Sequence, residues 1–242
     1  MNDVTELPDG TKMTWSPNPK RRRGAFLAQV LGEILVTAGL ILLLFVGYKM
    51  LQDNVVGDQQ TKLAQKQPSL NFVELDKVSK LADIFAKMYV PRFGSDWTRL
   101  IAEGTRWHPV LNEIGVGHYT NTAMPGEVGN FAIAGHRGGF GGAFKNMHEL
   151  VVGDRVYIET KHTWFIYKFL QTKIVHPTEL GVIKPVPDKL DGAAAGRRYL
   201  TMTSCTPIYV NTSRIISWFE LERTLPVSAG PPAELHLAKK DH

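Results

Sequence analysis

Cys205 is the residue of this chain best suited to nucleophilic chemistry. It is the only cysteine among 242 residues and lies in the segment Tyr199–Trp218, which reads YLTMTSCTPIYVNTSRIISW. A thiolate is a strong nucleophile when a neighbouring base activates it. Free cysteines also occur as small core residues, and an unpaired cysteine outside the cytoplasm can form an intermolecular disulfide. The Ser/Thr-rich setting at the predicted end of a strand favours the nucleophile, with both alternatives left open.

A cysteine nucleophile needs a histidine that can move protons. Among the eight histidines, His136 has the most suitable position, because it ends the apolar run NFAIAG and begins the glycine-rich loop HRGGFGG. His118, in GVGHYTN, is the second candidate. The other six lie in polar, loop or tail settings: His108, His148, His162, His176, His236 and His242.

Arg214 is the third candidate site residue. It lies nine positions after Cys205 and opens the apolar run IISWF, an unusual place for a guanidinium group. A guanidinium beside a cysteine can stabilise the oxyanion of a tetrahedral intermediate or bind a carboxylate. A salt bridge at a strand edge is the structural alternative.

The sequence offers no support for nucleotide, metal or nucleic-acid chemistry. The run GGFGG lacks the later glycine of a dinucleotide fingerprint, and no Lys-Ser/Thr pair makes a phosphate loop. No CxxC, HExxH or acidic cluster suggests a metal site, so we expect no cofactor and no metal. The net charge of +5 is supplied mostly by the cluster Lys20–Arg23, which argues against a nucleic-acid-binding face.

The elements before the candidate site begin with a membrane anchor. We predict a disordered cytoplasmic segment over 1–24 and a transmembrane anchor over 25–50. The apolar run Phe26–Tyr48 has 23 residues with one charge, Glu33, and at about 1.5 Å per residue it can cross a hydrocarbon core of about 30 Å. We interpret Glu33 as a tolerated charge near the interface rather than a functional intramembrane carboxylate.

The orientation of the anchor follows from its flanking charges. Arginines precede the span and only Lys49 follows it closely, so the positive-inside bias predicts a single-pass protein with a cytoplasmic N-terminus and an extracytoplasmic folded domain. The sequence after the span has no small-x-small cleavage site, which favours an uncleaved anchor. Residues 51–72 are glutamine-rich and predict a juxtamembrane stalk.

The folded domain is predicted over 73–226, followed by a flexible tail over 227–242. Apolar residues at helical spacing predict an amphipathic helix over 73–87. Short runs with near period two then predict a mostly β fold, an antiparallel barrel or sandwich with short helices. The predicted strands are 130–134, 155–160, 164–175, 198–203 and 214–224, and the helical candidates are 107–114 and 143–150.

Three motifs resemble those of a known family. AIAGHR at Ala132–Arg137, LTMTSC at Leu200–Cys205 and the arginine at Arg214 resemble the His, Cys and Arg motifs of sortases, the membrane-anchored cysteine transpeptidases of Gram-positive bacteria. The stretch Gly115–Arg137 is similar to class E sortases in particular. The resemblance covers roughly residues 89–225 and implies a sortase-like closed β-barrel.

The resemblance also implies a reaction. The protein would be a housekeeping sortase that cleaves an LAxTG- or LPxTG-type sorting signal of secreted proteins between Thr and Gly through a thioacyl enzyme. The acceptor would be an amine of a lipid-linked peptidoglycan precursor or a pilin lysine. Catalysis would fall to His136, Cys205 and Arg214. Substrate contacts would come from the following residues: Tyr119, His118, Thr203 and Ser204.

The sequence departs from the family pattern at Ser204, where a threonine commonly precedes the cysteine. Two rival functions are considered. An L,D-transpeptidase would have histidine and glycine just before the cysteine, where Thr203 and Ser204 stand. A non-catalytic, membrane-anchored binding module would have an inert and buried Cys205.

Overall fold

The computed structural model describes residues 5–6, 12–13, 19–65 and 82–235. The chain divides into two compact units, Met1–Leu51 and Gln52–His242. The first contains a two-residue strand pair, Thr5–Glu6 with Lys12–Met13, and most of the long helix α1, Pro19–Gln65, whose last turns belong to the second unit.

Helix α1 carries the apolar segment. By length and composition, the part within Gly24–Ala64 is the one helix among the described residues that can cross a membrane. The one charge of the apolar run is partly satisfied inside the helix, because Gln29 Nε2 donates to Glu33 Oε1 at 3.0 Å. This one-turn bond lowers the cost of a carboxylate in an apolar helix.

The second unit is built around a closed eight-stranded barrel. The strands are β1 (Ile84–Tyr89), β2 (Thr98–Glu103), β3 (Gly115–His118), β4 (Gly129–Gly135), β5 (Arg155–Glu159), β6 (Thr163–Val175), β7 (Arg198–Thr206) and β8 (Ser213–Pro226). Their order around the barrel is β8-β6-β5-β1-β2-β3-β4-β7, and β7 closes the barrel on β8. Only the pairs β2–β3 and β4–β7 are parallel. The predicted mostly antiparallel barrel is confirmed.

Short helical segments connect the strands. The longest, α2, spans Trp107–Ile114 and has wide turns, with Leu111 N–H donating to Arg106 O and Gly115 N–H to Val110 O. Single 3-10 turns occupy Pro91–Phe93, Met147–Glu149, Leu180–Ile183 and Val227–Ala229. Inward-facing apolar side chains of the strands fill the barrel, among them Ile101, Phe131, Ile133, Met202 and Phe219.

The five predicted strands and the helix at 107–114 are confirmed, but two predicted helices are wrong where the structure describes them. Ile84–Tyr89 is strand β1, with Ala86 and Met88 alternating into the core. Residues 66–81, which hold the rest of that predicted helix, lie outside the described residues. The segment 143–150 is mostly turns, because Phe144 N–H donates to His136 O instead of a helical carbonyl.

The segment after β8 is partly packed. Within the predicted tail, Leu235 is buried against Tyr89, Tyr157 and Trp164. Arg223 Nη2 donates to Glu234 at 2.7 Å, which holds the same stretch. Residues 236–242 lie outside the described residues.

Candidate active site

Cys205 and Arg214 face each other across two neighbouring strands. Cys205 is the penultimate residue of β7, and the antiparallel register pairs it directly with Arg214 near the start of β8. Directly opposed residues of an antiparallel pair project to the same face, with Cβ atoms about 5 Å apart. Cys205 is a free thiol and is partly exposed, as an attacking sulfur must be.

His136 is brought to the same rim by the parallel pair β4–β7. The register runs from Gly129 opposite Arg198 to Ala134 opposite Thr203. Continued by two residues, this register sets His136 beside Cys205. The carboxyl ends of two parallel strands meet at one edge of a sheet, so residues distant in sequence converge there.

Two hydrogen bonds hold the strand ends on either side of this pair. Ser204 Oγ donates to Gly135 O at 2.7 Å, one position before His136 and Cys205. Arg137 Nη1 donates to Thr206 Oγ1 at 2.5 Å, one position after them. The register of β4 and β7 is therefore fixed where both candidate catalytic side chains leave the backbone.

The imidazole of His136 is held by a side chain of α2. His136 Nε2 lies 2.8 Å from Asn112 Oδ1, and the rings of Trp107 and Phe140 pack on it with centroids at 5.7 and 5.2 Å. An amide oxygen can only accept, so His136 Nε2 carries the proton and Nδ1 remains for chemistry. Burial lowers the pKa of His136 below its ordinary value, because the charged form loses hydration.

Asn112 is itself fixed on its other side. Its Nδ2 lies 2.9 Å from His108 Nε2, and His108 Nδ1 lies 3.4 Å from Glu113 Oε1. Asn112 is buried, so its amide has few other orientations that satisfy both polar ends. This arrangement directs Oδ1 at His136.

The Arg214 guanidinium is held by its own turn. Nη1 donates to Asn211 O at 3.2 Å and to Ser213 O at 3.0 Å. Among the residues that the structure describes, Arg214 forms no ion pair with a carboxylate. The charge of Arg214 therefore remains available to an anion beside Cys205. The alternative, a salt bridge of Arg214 at the strand edge, does not occur among the described residues.

Tyr119 and Thr203 are in direct contact. The Tyr119 hydroxyl lies 3.0 Å from Thr203 Oγ1, and Thr203 Oγ1 also donates to Ile133 O at 3.3 Å. Thr203 and Ser204 are both buried, and each hydroxyl group is hydrogen-bonded within the protein. Tyr119 is half-buried. The residue that it contacts, Thr203, lies two residues before Cys205 on β7.

His118 lies inside the fold and away from solvent. Its side chain is buried, with Nδ1 2.8 Å from Glu103 Oε2 and Nε2 3.0 Å from Thr122 Oγ1. Its ring packs against Phe85 and Phe131. With both nitrogens bonded within the protein, His118 supports the Tyr119 turn, and its predicted contact with a substrate stays a prediction.

No group of three or more His, Cys, Asp or Glu residues able to hold a metal ion occurs in the described part of the chain.

Comparison with protein families identifies the family of this chain. A family model described as the sortase domain matches residues 88–222, which contain His136, Cys205 and Arg214. The chain belongs to the sortase family. Members of this family are cysteine transpeptidases, and the match runs from the end of β1 into β8.

Individual relatives place this sortase in class E. It is 33% identical over 226 residues to sortase SrtE1 of Streptomyces coelicolor, covering 89% of this chain and 63% of that protein. It is 36% identical over 240 residues to sortase SrtE2 of the same organism, covering 89% of this chain and 92% of that protein. The sortase therefore spans somewhat less than two thirds of the length of SrtE1.

Solved structures show the same fold. The structure of sortase E from Streptomyces avermitilis is 44% identical and covers 63% of this chain and 97% of that chain, with a TM-score of 0.58. Sortase E1 of Streptomyces coelicolor, solved with a tripeptide in the active site, is 34% identical and covers 63% of this chain and 96% of that chain, with a TM-score of 0.60. The expected sortase-like barrel is thus confirmed.

Sequence reasoning missed the groups that support this sortase site. Asn112 is 24 positions before His136 and belongs to no motif, so no spacing links the two. Its one sequence signal is a polar residue among the apolar positions of α2, where Val110, Leu111 and Ile114 are buried. Arg137 ends the motif AIAGHR, but no pattern in the sequence indicates its bond to Thr206.

Proposed function

We propose that this protein is a membrane-anchored housekeeping sortase that cleaves an LAxTG- or LPxTG-type sorting signal between Thr and Gly. The threonine is retained as a thioester on Cys205 and is then transferred to a cell-wall amine. The observation that carries the proposal is the convergence of His136, Cys205 and Arg214 at one rim of the barrel through the registers of β4, β7 and β8.

The first half of the reaction forms the thioester. The Cys205 thiolate attacks the threonine carbonyl carbon, and the carbonyl electron pair moves to oxygen, where the Arg214 guanidinium stabilises the charge. When the tetrahedral intermediate collapses, the C–N bond breaks and His136 gives its proton to the glycine nitrogen. The thioacyl enzyme, a neutral imidazole and a free amine result.

The second half reverses these roles. An uncharged acceptor amine attacks the thioester, and His136 takes the proton that the amine nitrogen releases. Collapse then expels the Cys205 thiolate and restores the starting thiolate and imidazolium. Burial of His136, which lowers its pKa, makes its imidazolium a stronger acid and favours proton transfer to the departing amine.

Recognition of the signal is assigned to the Tyr119 side of the site. The Tyr119 hydroxyl contacts Thr203 Oγ1, two residues before Cys205, and these two side chains form one wall of the site. We assign contact with the second residue of the signal to Tyr119, and we assign positioning of that wall to Thr203, Ser204 and His118.

The apolar helix supports a location at the cell membrane. The segment within Gly24–Ala64 has the length and composition of a membrane span. With the cluster Lys20–Arg23 before it, we place the N-terminus in the cytoplasm and the barrel outside. Acceptors attached to lipid, such as a peptidoglycan precursor amine, fit this location, and a pilin lysine has the same chemistry.

The decisive experiment captures the thioester. The full chain is incubated with an LAxTG peptide, quenched in acid and analysed by mass spectrometry for the acyl adduct on Cys205. We expect an adduct that disappears in Cys205→Ala and is released by an added amine as the ligated product. A Cys205→Ala protein that still cleaves the peptide, or a wild-type protein that never carries the adduct, would refute the proposal.

A further inference from the structure

The end of helix α1 reaches the two walls that enclose His136. Gln60 is 3% exposed, whereas its neighbour Gln59 is exposed. A buried side chain next to an exposed one on a helix marks the helix face that packs on the barrel.

The Gln60 amide bridges two separate segments of the barrel. Nε2 donates to Asn112 O at the end of α2 and to Phe140 O in the glycine-rich loop, both at 3.2 Å. These two carbonyls are 28 residues apart in sequence and belong to elements that share no strand. One amide nitrogen therefore ties α2 to the loop that follows β4.

Two glycines make the space for this amide. A Cβ at Gly115 would lie 2.8 Å from Gln60 Oε1, and a Cβ at Gly141 would lie 2.7 Å from the same atom. Both glycines also have positive φ, +105° and +79°, which disfavours any other residue. The site is thus shaped around the Gln60 head group on both sides.

Both bridged segments carry a direct contact to the catalytic histidine. Asn112 accepts the hydrogen bond from His136 Nε2, and the Phe140 ring packs on the imidazole at 5.2 Å. A shift of either backbone carbonyl moves a group that holds the imidazole ring. Among the described residues, Gln60 is the one that hydrogen-bonds to the backbone of both segments.

The helix end is anchored so that Gln60 stays in place. Arg99 Nη1 donates to Thr61 Oγ1, and Ala64 is fully buried in the apolar cluster around Ile84, Leu100 and Leu111. A Cβ at Gly57 would lie 3.1 Å from Gly141 O, so the helix backbone is close to the same loop.

We propose that Gln60 is a positioning residue for His136, through which the end of the juxtamembrane helix sets the two walls of the imidazole. The inference rests on the proposed function for its catalytic consequence. It assigns to the predicted stalk a part in the active site, because the bond donors come from α1 and the bonded carbonyls from the barrel.

The test compares two matched variants in the full chain in detergent, Gln60→Met and Gln59→Met. Methionine keeps the length and helix preference of glutamine but removes the donors. Steady-state cleavage of an LAxTG peptide is measured with active sites counted by an electrophilic peptide that labels Cys205. ¹⁵N NMR of histidine-labelled protein reads the tautomer and ring shifts of His136.

We expect Gln60→Met to lower kcat per labelled site about tenfold with little change in KM, less than the roughly 100-fold cost of an ångström-scale misplacement. Its His136 ring signals should move, while Gln59→Met matches the wild type in both measurements. Unchanged His136 signals together with a normal kcat per labelled site would overturn the inference. The NMR arm does not depend on turnover, so a protein that lacks the Cys205 adduct refutes the proposed function separately.

Discussion

Replacing Asn112 tests how the imidazole of His136 is oriented. In Asn112→Leu the side chain keeps its size but loses the acceptor that lies 2.8 Å from His136 Nε2. The preference for the tautomer with a proton on Nε2 then disappears, and Nδ1 is no longer reliably free to exchange protons with Cys205. We expect lower kcat with a peptide KM close to that of the wild type.

The magnitude follows from the contacts that are lost and kept. A neutral hydrogen bond contributes a net free energy of about 0.5–1.5 kcal/mol. At about 1.36 kcal/mol per tenfold, this corresponds to a decrease in kcat of about 2- to 13-fold. The Trp107 and Phe140 rings still pack on His136, so the ring is not released entirely and the loss stays within this range.

Two further variants separate orientation from charge and from helix stability. Asn112→Asp keeps an acceptor but adds a negative charge, so it should retain the tautomer and raise the pKa of His136. His108→Ala removes only the far partner of Asn112, at an exposed position, and should have the smaller effect. The assay is peptide cleavage combined with ¹⁵N NMR of the His136 ring.

A wild-type tautomer ratio and a kcat within twofold of wild type in Asn112→Leu would refute this account of His136. A loss of the same size in His108→Ala would instead attribute the effect to the stability of α2.

Four other predictions follow from the geometry of the site and the barrel. Arg214→Lys keeps the charge but not the planar fork, and we expect kcat/KM for the peptide to fall by at least about tenfold, whereas a near-normal value would indicate simple charge pairing. The pKa of His136 is lowered by burial, so the folded protein resists its protonation. The stability contributed by neutral His136 is present above the ordinary histidine pKa and is lost as pH falls through its folded-state pKa. The free energy of unfolding in urea should therefore fall more steeply with decreasing pH in the wild type than in His136→Gln. Tyr119→Ala should change the preference between alanine and proline at the second position of the signal, measured as a kcat/KM ratio, and an unchanged ratio would contradict that assignment. A Cβ at Gly117 would lie 2.2 Å from Gly104 O, so Gly117→Ala should lower the melting temperature through strain of about 1–3 kcal/mol, and an unshifted melting curve would exclude this clash.

The sequence was informative where side-chain alternation and motif agree. Strands β4 through β8 have period-two runs of β-branched and aromatic residues, and their bounds differ from the predicted ones by at most three residues. His136 and Cys205 end two of these runs, which is why both could be identified. Strand β1 was predicted as helix, because Ile84, Phe85 and Met88 also fit helical spacing when the pairing partners are unknown.

Contacts between elements that are distant in sequence could not be predicted. His118 lies in a motif that predicts a site residue. Its carboxylate partner Glu103 lies on β2, the parallel neighbour of β3, and this bond holds the imidazole inside the fold. Asn112 bonds to His136 across 24 residues, and Gln60 forms two hydrogen bonds, across 52 and 80 residues. Such bonds leave no local period or composition, so only the packed structure reveals them.

The parallel pairing of β4 with β7 has a consequence for how activity arises during folding. His136 and Cys205 are 69 residues apart, and the whole β5–β6 hairpin lies between them in the chain. Joining such distant segments costs loop entropy before any contact offsets it, so this pairing belongs to the slow, non-local part of folding. No hairpin of consecutive strands contains both groups, so a chain in which β4 and β7 have not yet paired does not bring the imidazole of His136 to the thiol of Cys205. We therefore expect the thiol to become reactive only at the late step in which β4 and β7 pair.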